Sequence, residues 1–303
     1  MSPSPLATVD ASEPLEKILA AIVKDGGVIV SNFLPAPLLG ELMGNIEPHF
    51  EGRKLYDSKS ADEELGDDFF PEGSQRVYAL LGKIPDTVMS ILRLPVDEVA
   101  TYTGDKWFAQ RSGYMLASTA AIRLVPGAKA QPLHRDQIAY AIRHDPANPL
   151  FTPMMGCLIA GSKCTQKNGA TAVIPGSHLW PNDRAPKVSE CTYAEMEPGS
   201  ALFTLGNVYH GSGVNRCEST DADALRTIFA VFGQRDYFRQ DQEEILSTPI
   251  EVARRLPEDI LRIAGYYKAM GGVGYVEDHQ SAVEFLHTKS NLGAFGPDRK
   301  EYL

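Results

Sequence analysis

Basic charge is scarce in this chain: 29 Lys and Arg stand against 39 Asp and Glu, a formal net charge of −10. A phosphate backbone is bound through a clustered basic face, so nucleic acid is not an expected partner. Long apolar runs are missing too. No stretch approaches the roughly 20 residues that span a bilayer. The opening MSPSPLATVDASEPLEK lacks both the basic and the apolar part of a signal peptide. These absences predict a cytoplasmic protein without a membrane span. Cysteine is sparse as well. Cys157, Cys164, Cys191 and Cys217 form no CxxC or CxxxC spacing, which argues against a zinc knuckle or a disulfide framework and leaves reduced, structural thiols.

No internal repeat or low-complexity linker divides the 303 residues, so one domain is expected over 1–303. Its parts differ in pattern. Within 12–24, Leu15, Ile18, Leu19, Ile22 and Val23 fall on one helical stripe, with Pro14 in the first turn and DGG as the stop. GVIVSNF reads as a strand and PAPLLGELMGNIEPHF as a second amphipathic helix. Residues 51–75 are polar and acidic around the pair Phe69 and Phe70, either a lid over a pocket or a solvated connection. From 76 to 111 the pattern is mainly helical, which completes a helical N-terminal part over about 12–111.

Between about 114 and 235 the character changes to short β-branched or alternating runs cut by Gly, Pro and Asn. Such runs predict a mainly β core with flanking helices, a jelly-roll or double-stranded β-helix barrel. Helical signals return after 240, in DQEEILSTPIEVARRLPEDILRIAGYYKAM, and the tail NLGAFGPDRKEYL is irregular.

Within QPLHRDQ, His134 and Asp136 stand two apart. With 7 His and 39 acidic residues, about one such pair arises by chance, and His49/Glu51 is a second. His49 ends a helix, where residues two apart do not share a face. If 131–143 is a strand, by contrast, His134 and Asp136 project together and Arg135 points the other way. His210, closing ALFTLGNVYH before a GSG turn, is the best third ligand. His178 in PGSHLW competes for that place but is better read as packing a loop. His144, His279 and His287 sit in polar settings and read as surface residues. Two His and one carboxylate suit a non-haem iron(II) oxygenase, while zinc accepts the same set. A dicarboxylate co-substrate would need a buried cation. Arg226 opens a mostly apolar strand, where an unpaired Arg is costly; an ion pair at the strand edge is the alternative.

QPLHRDQ, NGATAVIPGSH, GNVYHGSGVNR and LRTIFAVFGQRDYFRQDQEE, in that order, resemble the phytanoyl-CoA dioxygenase superfamily of iron(II)/2-oxoglutarate-dependent oxygenases. They are most similar to its fungal branch, which tailors meroterpenoids and alkaloids and includes verruculogen synthase. The resemblance runs from DGGVIVSNFL to the helical region after 240. It implies His134, Asp136 and His210 as iron ligands, with Gln131, Thr171 and Arg226 contacting 2-oxoglutarate. In the family the arginine commonly lies closer to the distal His, so NRCESTDADALR reads as an insertion. If a turn does not absorb it, Arg216 becomes the candidate.

The resemblance further implies a reaction with O2 at an unactivated C–H, with 2-oxoglutarate converted to succinate and CO2, and a homodimer. The acidic stretch 58–72 would repel the phosphates of a coenzyme A thioester, so a neutral, hydrophobic, polycyclic metabolite is the expected substrate. Hydroxylation of an acyl-CoA or lipid is the second reading, and a non-oxygenase, metal-binding cupin-like protein the third. Phe69, Phe70, Tyr140, Met154 and Met155 are the candidate pocket walls, each equally readable as core.

Overall fold

The computed structural model describes residues 4–50, 98–140, 142, 145 and 150–286. In chain order come β1 (Thr8–Asp10), α1 (Leu15–Asp25), β2 (Gly27–Ser31), α2 (Ala36–Phe50), β3 (Glu98–Thr103), β4 (Lys106–Arg111) and β5 (Tyr114–Leu124). They are followed by β6 (Met154–Ala160), β7 (Thr171–Val173), β8 (Thr192–Tyr193), β9 (Ala201–Leu205), β10 (His210–Ser212) and β11 (Arg226–Arg235). Short helices at Glu244–Ser247, Ile250–Ala253, Glu258–Ile263 and Ala282–Leu286 close the described chain.

The start of α1 sits one residue later than the pattern predicts. Pro14 is its N-cap, in an extended backbone (φ −55°, ψ 141°). Ile18, Ala21 and Ile22 face the core, whereas Val23, expected on the same stripe, is 40% exposed. Gly26 ends the helix in the left-handed region (φ 76°), its N–H donating to the Ile22 carbonyl. Only glycine fits: a Cβ there would lie 2.3 Å from Val208 Cγ2 and 2.6 Å from His178 Nδ1.

Six strands form the main sheet, in the order β1-β2-β9-β6-β11-β5. Every residue of β6 and β9 is buried, so these strands read as continuous apolar runs rather than alternating ones. Ile22, Val28, Ile159, Phe203 and Phe229 belong to the single large core around them. Full burial of each such side chain contributes about 1.5–3 kcal/mol. A second, three-stranded sheet has the order β10-β7-β8. The described chain is thus β-rich with flanking helices, the jelly-roll-like core that the strand pattern predicts.

Two expectations fail. Residues 98–111 are not helical; they form the β3–β4 hairpin, in which Thr103 opposes Lys106 across a two-residue loop. Alternating Val, Thr and aromatic residues around Gly104 (φ 67°) outweigh the helical signal upstream. Nor do residues 131–140 form a strand: His134 makes one isolated bridge to His210, and the chain then turns into a 3-10 helix at Asp136–Tyr140. Pro132 cannot donate to a ladder, and the Gln137 N–H goes to the Gly206 carbonyl at 3.0 Å instead. After 240 the helical pattern holds, but Pro249 and Pro257 each start a new helix and keep every segment short. Residues 51–97, with Phe69 and Phe70, and 287–303 lie outside the described residues. No helix among the described residues is long and apolar enough to cross a membrane.

Candidate active site

His134 and Asp136 come together without a shared strand face. The bridge between His134 and His210 (N to O distances 2.9 and 3.0 Å) sets the two imidazoles with centroids 4.7 Å apart. The turn at Asp136 then carries its carboxylate to both: Oδ1 is 3.4 Å from His134 Nε2 and 3.5 Å from His210 Nε2. One ligand atom from each residue lies within 4.8 Å of the others, the one such trio among the described residues.

Each imidazole is oriented by its own backbone. His134 Nδ1 is 2.8 Å from the Pro132 carbonyl and His210 Nδ1 is 3.2 Å from the Val208 carbonyl. A carbonyl only accepts, so Nδ1 carries a proton in both rings, and Nε2 is the atom turned to the centre of the trio, offering a lone pair there when the ring is neutral. Asp136 Oδ2 is buried without a protein partner. Burial pushes the Asp136 carboxyl up, but His210 and the bond to His134 outweigh it and hold it below the usual range. The bond to Asp136, against the opposing pull of burial, raises His134. An ionised carboxylate with a spare oxygen and two inward lone pairs fits a divalent metal.

His178, the competing histidine, is fully buried elsewhere, its Nε2 3.1 Å from the Val23 carbonyl beside Gly26. It packs the loop, as its sequence setting suggests. His144 and His287 lie outside the described residues.

The trio's neighbours run along β10. His210 opposes Val173 and Ser212 opposes Thr171, so the Thr171 and Ser212 side chains emerge on the same face as the imidazole. Arg226, at the start of β11, is 1% exposed, and its Nη2 donates to Ser212 Oγ at 2.8 Å. Its Nε and Nη1 are buried with no acceptor. Burial lowers its pKa, against an opposing effect from Cys164, and among the described residues this guanidinium has no carboxylate partner. Arg216 is exposed. The insertion before Arg226 is absorbed by Asn215, which donates to the Ala224 carbonyl at 2.8 Å and accepts from the Cys217 N–H at 3.0 Å.

Gln131 accepts the Ser212 N–H through Oε1 at 2.9 Å, and its own N–H donates to the Ser212 carbonyl, so it braces β10. Ser212 itself is absent from the residues the sequence suggested. Its position two after a candidate ligand, on one strand face, is the signal that finds it. Among the suggested walls, the Tyr140 hydroxyl reaches Asp241 Oδ1 at 2.9 Å and Gln234 Oε1 at 2.5 Å. Its pKa is raised by burial and by nearby carboxylates, Asp136 among them. Met154 and Met155 are buried in β6, and Met155 belongs to the main core.

Residues 22–221 match the family model described as phytanoyl-CoA dioxygenase (PhyH). The chain is 30% identical over 289 residues to dioxygenase swnH1 of Metarhizium robertsii, covering 91% of each. It is 28% identical over 288 residues to dioxygenase swnH1 of Arthroderma benhamiae, again covering 91% of each. It is 29% identical over 283 residues to multifunctional dioxygenase ausE of Penicillium brasilianum, covering 89% of each. Among solved structures, AviO1 from Streptomyces viridochromogenes shares the fold at a TM-score of 0.50 and 15% identity, over 74% of this chain and 96% of that one. The family match covers the trio and the strands that carry it, and the donor set suits the metal: the chain belongs to the phytanoyl-CoA dioxygenase family and is an iron- and 2-oxoglutarate-dependent dioxygenase.

Proposed function

We propose that His134, Asp136 and His210 hold the iron(II), that Arg226 with Ser212 and Thr171 receives the distal carboxylate of 2-oxoglutarate, and that the enzyme oxidises an unactivated C–H of a neutral, polycyclic secondary metabolite of the meroterpenoid or alkaloid class. The observation that carries this reading is Arg226. A buried guanidinium with two acceptor-less donor nitrogens beside a metal-competent trio is matched by a dicarboxylate, since a paired carboxylate removes the penalty of the uncompensated charge. Ser212 Oγ keeps the fork oriented while the rest of it stays available. Gln131 locks the Ser212 backbone from the other side, so the carboxylate site is built before the co-substrate arrives.

The two Nδ1–carbonyl bonds hold both imidazoles in the metal-binding tautomer. When bound, iron(II) supplies the activation of dioxygen, a chemistry that side chains alone lack. Tyr140, tied to Gln234 and Asp241 near Asp136, is positioned to shape the substrate side of the site. A neutral substrate follows from the charge of −10 and the acidic run 58–72, and the similarity to ausE and swnH1 favours natural-product tailoring over acyl-CoA oxidation. The reading includes a cytoplasmic enzyme that works as a homodimer, which light scattering on the purified protein checks.

The test is anaerobic absorbance of the apo-protein as iron(II) and then 2-oxoglutarate are added, beside His134→Ala and Arg226→Ala. A weak visible charge-transfer band is expected in the wild type, absent in His134→Ala and requiring far more 2-oxoglutarate in Arg226→Ala. Failure of the band to form in the wild type overturns the assignment. Release of succinate coupled to a panel of polycyclic substrates then tests the substrate class, and preferential turnover of an acyl-CoA would refute it.

A further inference from the structure

The residue between the first two proposed ligands is Arg135, and the residue before the third is Tyr209. They meet: Arg135 Cζ lies 4.3 Å over the centre of the Tyr209 ring. Arg135 is 7% exposed, and among the described residues it has no carboxylate partner. Its Nη2 donates to the Ser177 carbonyl at 2.8 Å and to the Trp180 carbonyl at 3.3 Å, with Nη1 3.5 Å from Asn182 Oδ1. The fully buried Ser177 grips the second segment too, its Oγ accepting the Tyr209 N–H at 2.8 Å. One residue therefore ties both ligand-bearing segments to the same turn.

Burying a cation without a carboxylate is costly, which calls for a reason beyond stability. Backbone bonds also join the segments at His134–His210, Gln131–Ser212 and Gln137–Gly206, but Pro132 interrupts the ladder between the first two.

We propose that Arg135 and Tyr209 are positioning residues, whose stack on Ser177 fixes the His134–Asp136 segment against His210 before metal arrives. The proposal rests on the reading of the trio as the metal site. The stack acts as a unit: the guanidinium needs the ring face, and the ring is held by the Ser177 bond to its own N–H. Neither side chain ligates metal, and their effect reaches the ligands through the backbone.

Cobalt(II) is the probe, added to the full-length apo-protein, with the visible d–d bands reporting ligand geometry and chelator competition reporting affinity. Arg135→Met and Tyr209→Leu are each expected to weaken cobalt binding about tenfold or more and to alter the d–d bands. The double variant should be no weaker than the worse single one. Tyr209→Phe keeps the ring face and should stay within about twofold of wild type. Arg135→Met strips the Ser177 and Trp180 carbonyls of a donor, so if it does not fold, Tyr209→Leu, which leaves those bonds in place, decides. Wild-type affinity and bands in Tyr209→Leu overturn the proposal, as do additive effects in the double variant. His134→Ala separates the two readings: if it binds cobalt as wild type does, the trio assignment falls and this proposal with it; if it loses cobalt while Tyr209→Leu does not, only the positioning role falls.

Discussion

The six-stranded sheet and the three-stranded sheet do different work. β6 and β9 are buried at every residue, and β11 pairs with β5 over ten positions. β10 and β7 pair over only three, yet they carry His210, Ser212 and Thr171. Long apolar ladders supply rigidity through area removed from water. Short ladders, cut by Gly and Pro, leave polar side chains without competing partners and aim them into a common space. The difference teaches that the long sheet supplies the core and only the Arg226 end of β11 to the candidate site, while His210, Ser212 and Thr171 come from a sheet too short to stand alone.

Substitution in the core of the long sheet and at its Arg226 end should separate the two properties. Phe203→Ala on β9 empties a fully buried position and should cost about 3–5 kcal/mol of stability; denaturant unfolding of the apo-protein measures it, with metal affinity per folded molecule unchanged. Arg226→Met should do the reverse. It removes an uncompensated buried charge, so the apo-protein should melt no lower than wild type. At the same time, 2-oxoglutarate affinity should fall by about 2–5 kcal/mol. Calorimetry and a co-substrate titration together read both. An apo-protein that melts lower would show that the guanidinium is structural and erase the contrast.

Ser212→Ala is a finer cut. It removes one charge-assisted bond from the Arg226 fork and should weaken 2-oxoglutarate binding by about 1.5–3 kcal/mol, with iron affinity retained. Smallest is the pH effect. His134 is raised above its ordinary 6.5 by Asp136, so protons compete with metal from somewhat above pH 6.5 downward. Metal affinity should fall by about tenfold per pH unit below the raised value. In the apo-protein the sign reverses. The raised His134 pKa contributes stability that is full below 6.5 and fades as pH rises through the folded-state value. Affinity and melting temperature measured from pH 5 to 8 should therefore move in opposite directions.

Much of this was legible beforehand because it depended on local periodicity. The α1 stripe, the DGG stop, the β2 strand and the run of short strands from 114 to 235 each follow from hydrophobic spacing and turn chemistry over fewer than a dozen residues. The hairpin at 98–111 is not legible in the sequence because helical and alternating patterns overlap in a short mixed segment. The geometry around QPLHRDQ was misread for a different reason. A strand face was the simplest way to aim His134 and Asp136 together, and Pro132 ruled it out.

The sequence by itself determined the candidate ligand types, their order along the chain and the placement of a costly arginine at the head of an apolar strand, because these are statements about residues and their immediate neighbours. The tertiary structure decided which groups meet. It folded the stretch before Arg226 around Asn215, buried Arg226 with Ser212 against its fork while leaving Arg216 exposed, and stacked Arg135 on Tyr209. Those contacts join residues 9 to 74 positions apart in the chain, and no local pattern encodes them. They exist because the fold sets the start of β11 against β10 and the turn at Ser177 against both segments that carry the trio.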